Sequence, residues 1–103
     1  MRKFSIKNER EALFHEIRKD IFTLKKILKD EIRIKVSIPL FYRNALNYQI
    51  YQTSNINPFF MQIPNYNNIF GIEIVNGYNN QICVFDEYAQ PGDEFLEPIL
   101  ITL

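Results

Sequence analysis

Leu13, Phe14, Ile17, Ile21, Leu24, Ile27 and Leu28 recur three and four residues apart, the spacing that lays apolar side chains along one stripe of an α-helix. Asn8 followed by Glu11 has the N-x-x-E spacing of a capping pair. Glu9 and Glu11 suit the positive end of a helix dipole, and Lys25, Lys26 and Lys29 suit its negative end. The pattern predicts one amphipathic helix from Glu9 to Asp30.

The period then changes to two. Ile32, Ile34, Val36 and Ile38 alternate with Arg33, Lys35 and Ser37, which predicts a half-buried strand stopped or bulged at Pro39. Leu46, Tyr48 and Ile50 against Asn47, Gln49 and Tyr51 predict its antiparallel neighbour. Two more strands, Ile69 to Val75 and Gln81 to Glu87, are expected to join in a hairpin near Asn76-Gly77, residues that tolerate positive φ. Phe4 and Ile6 around Ser5 suggest a short extra strand, and Ile99 to Leu103 is either a last strand or a hook for another chain. The expected fold class is α+β: one long N-terminal amphipathic helix packed on an antiparallel sheet of about four strands, in a single domain spanning 1–103. This order is similar to the cystatin-like layout of one helix wrapped by a sheet. No inhibitory loop motif of that family is present, so the likeness is one of topology.

Composition bounds the class. A chain of 103 residues, 47% apolar and 23% charged, can bury one core without disulfides or metal. Cys83 is the only cysteine, so no intrachain disulfide is possible, and a reducing compartment suits the chain. The basic start lacks an apolar signal region, and no apolar run approaches the roughly 18 residues needed to span a bilayer. A cytoplasmic protein with no membrane contact is the expectation. Abundant Ile, Asn, Lys, Tyr and Phe are what A+T-rich codons encode, a hint of a low-GC bacterium, its phage or its mobile elements.

Charge changes the picture more. All 12 basic residues lie between Arg2 and Arg43 with six of the acidic ones, whereas Asn44 to Leu103 carries the other six acids and no Lys or Arg. Three readings follow: the halves neutralise each other inside one fold, the basic half meets an anionic partner, or copies associate as a homo-oligomer through opposite charges.

Candidate chemistry is sparse. His15 falls opposite the apolar stripe among cations, a poor setting for a catalytic base. Cys83 lies in an apolar strand without a nearby cation to make a thiolate. Asp86, Glu87, Asp93, Glu94 and Glu97 flank a Pro-Gly turn without the spacing of a calcium loop. No catalytic residue, metal site or cofactor is expected, and the chain is not read as an enzyme.

Two surfaces remain. On the helix, Phe22 projects onto the polar side among Arg18, Lys25, Lys26 and Lys29, either as surface decoration, or covered by the C-terminal tail, or as an aromatic anchor ringed by steering charges. The stretch Asn55 to Asn68 has two prolines, no period and no charge. It carries Phe59, Phe60, Met61 and Tyr66, as a lid on the core or as an exposed interface patch. The expected function is a small non-enzymatic protein-binding module, an inhibitor or regulator from a phage or mobile element in type. It would act through the uncharged aromatic loop (Phe59, Phe60, Met61, Tyr66) and the basic helix face (Arg18, Phe22, Lys25, Lys29). The alternative is a nucleic-acid or nucleotide binder using that helix face.

Overall fold

The computed structural model describes residues 2–53, 65–90 and 96–103. The chain is α+β, with strand β1 (Lys3–Ser5), helix α1 (Arg10–Leu28), a 3-10 turn over Glu31–Arg33, strand β2 (Ile34–Ile38) and helix α2 (Leu40–Thr53). Strands β3 (Asn68–Ile69), β4 (Ile72–Asn76), β5 (Gln81–Asp86) and β6 (Ile99–Thr102) follow. They form one mixed six-stranded sheet in the order β1-β6-β5-β2-β4-β3. The pairs β1/β6 and β2/β4 are parallel, and β5 pairs antiparallel with both β2 and β6. The expectation of one helix on about four antiparallel strands, and with it the cystatin-like layout, is therefore corrected: there are two helices, six strands and two parallel pairings among the described residues. The short extra strand suggested around Ser5 is present as β1, ahead of the first helix.

Helix α1 forms where its stripe predicts, burying Leu13, Ile17, Ile21 and Leu24. Its ends differ from expectation. Glu9, not Asn8, stands at the N-cap and makes no capping bond to the helix; its carboxylate instead accepts the Ser5 N–H at 3.1 Å. Lys29 ends the helix in the left-handed region (φ 60), its N–H returning to the Lys25 carbonyl. Ile27, placed on the stripe by spacing, is 48% exposed, because it lies one step round the helix from Leu24 and Leu28 toward solvent.

Ile32 belongs to the 3-10 turn and is exposed, so β2 begins at Ile34. In β2 the alternation holds: Ile34, Val36 and Ile38 are buried, Lys35 and Ser37 half-buried on the other face. Pro39 stands between the end of β2 and the first turn of α2, where a missing N–H does no harm.

The second predicted strand is α2. Its buried positions are Tyr42, Leu46, Asn47 and Gln49, and Tyr42, Leu46 and Gln49 keep helical spacing. A glutamine in the stripe hides the period from a hydropathy reading. Gln49 accepts the Tyr42 hydroxyl at 3.3 Å and donates to the Arg10 carbonyl at 3.2 Å, tying α2 to the start of α1. Instead of a hairpin arm, α2 is the crossover between the parallel strands β2 and β4.

The predicted β4–β5 hairpin is absent too, since β2 lies between those strands. Gly77 has no positive φ. Its N–H bonds the Ile38 carbonyl at 2.9 Å, so this glycine lets the chain pass closely over the end of β2. The tight turn lies earlier, at Phe70 (φ 51) and Gly71 (φ 81), between the paired residues Ile69 and Ile72. The C-terminal run resolves as a strand of the chain's own sheet. Ile34, Val36, Ile38, Ile69, Ile72, Ile74, Ile82, Val84, Ile99 and Ile101 close one core with the buried faces of both helices.

Candidate functional site

Residues three and four apart are neighbours on a helix surface, so Arg18, Lys19, Lys25 and Lys26 surround Phe22 on the outer side of α1. Phe22 is 42% exposed. The Arg18 guanidinium lies 5.5 Å from the centre of the Phe22 ring, and the Lys25 ammonium 5.3 Å, both within cation–π range. The β3–β4 turn completes the cluster. Phe70 tilts against Phe14 with ring centres 5.2 Å apart and against Phe22 at 6.5 Å. Arg18 sits 5.5 Å from the Phe70 ring as well, so one guanidinium spans both rings. Lys25 Nζ donates to the Phe70 carbonyl at 3.1 Å and lies 3.5 Å from the Glu31 carboxylate.

Of the helix residues expected to act together, the structure unites Arg18, Phe22 and Lys25. Lys29 is exposed at the helix end and extends the cationic stripe without touching the rings. The C-terminal run does not cover Phe22, being held in the sheet between β1 and β5. Phe70 and Phe14 are members that sequence reasoning missed. Phe70 falls near the start of the run Ile69 to Val75 that the alternation assigns to a single strand, and the signal that marks it is Gly71, a turn residue inside an apolar run.

Phe59, Phe60 and Met61 lie outside the described residues. Tyr66 is half-buried, with its hydroxyl enclosed and without a hydrogen-bond partner among the described residues. Its N–H donates to Asn47 and its carbonyl accepts from Arg43, which places it beside α2 and apart from the Phe22 cluster.

The other candidates resolve as surface or support. His15 is exposed. Burial pushes the Cys83 thiol up, with a hydrogen bond from Ser37 only partly opposing it, so the sulfur stays protonated and weakly nucleophilic. Asp86 is buried and grips Arg33 through two bonds, Nη2–Oδ2 at 2.6 Å and Nε–Oδ1 at 3.2 Å. Burial works to raise its pKa, but the Tyr88 N–H and the Arg33 guanidinium outweigh that and hold the carboxyl below its ordinary range. Glu87 and Glu73 both pair with Lys35. Glu73, Asp86 and Glu87 of the acidic half are thus met by Arg33 and Lys35 of the basic half. Among the described residues no group of three or more His, Cys, Asp or Glu is placed to hold a metal ion, and no helix is long and apolar enough to cross a membrane.

Comparison with protein-family models, with curated proteins and with solved structures gives no match to the chain.

Proposed function

We propose that the protein is a small non-enzymatic binding module whose α1 face recognises an acidic surface on another protein. The observation that supports this reading is Phe22, an aromatic ring left partly open to solvent and held between Arg18 and Lys25. A held ring loses little entropy on docking, and flanking cations raise the encounter rate with an acidic partner. An inhibitor or regulator encoded by a phage or mobile element is a role this size and surface would suit. The uncharged stretch with Phe59, Phe60, Met61 and Tyr66 stands as a second contact surface on the strength of the sequence, and self-association of the chain is a competing occupant. Steering by Arg18 and Lys25 predicts that capture of the partner weakens as salt rises from about 0.05 to 0.2 M. It also predicts that Arg18→Glu lowers capture at low salt and flattens that dependence. Salt-independent capture, unchanged in Arg18→Glu, would contradict the reading.

One observation favours the second reading, a nucleic-acid or nucleotide binder. Arg18, Lys19, Lys26 and Lys29 make no ion pair with any described carboxylate, which leaves their charge free for phosphates. A mobility-shift titration decides between them, because a phosphate binder loses affinity linearly in log salt. Absence of a shift at low salt removes this reading.

A further inference from the structure

A cleft of about 470 Å³ opens where β2 passes through Pro39 into α2 and where β4 ends at Asn76. It lies at the carboxyl ends of the parallel pair β2/β4, joined by a crossover helix, the place where open α/β sheets receive ligands. Its size falls within the range of small-molecule pockets. The described lining carries no carboxylate: Arg43 and Asn44 from the start of α2, Asn65 and Asn67 ahead of β3, and Asn76, with Leu40, Ile74 and Val75 as its apolar part.

Arg43 carries the inference. It is half-buried, and it forms no ion pair with a described carboxylate. Of its five N–H donors one is engaged by a described residue, Nη2 to the Tyr66 carbonyl at 2.8 Å, and Nε is enclosed with no partner among the described residues. The other half-buried guanidiniums behave otherwise. Arg2 meets Glu16 and Asp20, and Arg33 meets Asp86. Charge withdrawn from water is normally paired, because desolvation without a counter-charge is costly. Here no described residue supplies one, and the described neighbours of the cation in the cleft include neutral amides able to donate and accept.

We propose that this cleft binds a small molecule bearing one carboxylate and neutral hydrogen-bonding groups. With Nε enclosed, it is the free Nη N–H groups of the guanidinium that can meet a single planar carboxylate. The asparagine amides read the rest of the ligand, and the positive end of α2 adds to the attraction. This site is separate from the Phe22 cluster, so each stands or falls alone.

The test uses the full chain, titrated with N-acetylglycine and with lactate while its backbone and asparagine amides are followed by NMR. Sodium chloride at equal ionic strength is the control, and inorganic phosphate the competing anion. The expected result is a saturable shift at Asn44 and Asn76 with at least one carboxylate, beyond that given by chloride. Asn44→Asp places a carboxylate next to Arg43 at an exposed position of α2, where the fold tolerates a charge, and it should weaken binding by at least about tenfold. Arg43→Gln should do the same; should it fail to fold, Asn44→Asp decides. Shifts equal to those with chloride, shifts with phosphate alone, or unchanged affinity in Asn44→Asp would each overturn the proposal.

Discussion

A Cβ at position 77 would lie 2.8 Å from the Ile38 carbonyl carbon and 2.9 Å from the Pro39 nitrogen, nearer than side chains come to backbone. Those neighbours are main chain and cannot rotate away, so Gly77→Ala must part the β4–β5 connection from the end of β2. The expected loss is about 1–3 kcal/mol, read from the midpoint of urea unfolding. In sequence the residue looked like half of a hairpin turn, because composition records that a glycine is needed but not whether the need is torsional or spatial. Asp86 gives a second prediction at this scale. Its folded pKa is depressed below the ordinary 3.8, so the stability it contributes is present above that value and lost as pH falls through the folded pKa. The stability gap between the wild type and Asp86→Asn should therefore be full at neutral pH and narrow in acid. A gap that stays constant down to about pH 2 would show that the Arg33 pair is not responsible.

At the scale of elements, α1 and β2 were legible because their buried positions, Asp20 apart, are filled by Leu, Ile and Val at regular spacing. Helix α2 was not. Its stripe runs through Tyr42, Leu46 and Gln49, with Asn47 also buried. A polar residue at a buried position reads as a solvent-facing one until its partners are known. Gln49 is buried because Tyr42 and Arg10 satisfy it, and Asn47 because Asn65 and Tyr66 do. Gln49→Leu tests this directly. On hydropathy it perfects the helix, yet it strands the Tyr42 hydroxyl and removes the tie to the Arg10 carbonyl. It should destabilise by about 1–3 kcal/mol in equilibrium unfolding, and a gain in stability would refute the bonding role. The sheet order was hidden for a related reason. Strand periods show which face is buried, not which neighbour lies alongside, so the β2 insertion between β4 and β5 had no local signature.

At the scale of the whole molecule, the division of charge is partly internal. Arg33 and Lys35 meet Asp86, Glu73 and Glu87 across the two halves, whereas the outer side of α1 keeps its cations around Phe22. The helix half of the candidate surface was readable from wheel positions of Arg18, Phe22 and Lys25. Phe70 was not, because its membership depends on a turn delivering a distant ring to the helix. The carboxylate cleft was unreadable for the same cause, as Arg43 and Asn76 come together only through the parallel pairing of β2 and β4. The decisive question is whether Phe22 serves recognition or holds the fold. Phe22→Ser, assayed side by side for thermal unfolding and for capture of proteins from source-cell lysate, answers it. We predict a melting temperature within about 2–4 °C of wild type together with loss of at least one captured protein by about tenfold or more. A collapsed melt, or an unchanged set of captured proteins at an unchanged melt, would contradict recognition by this face.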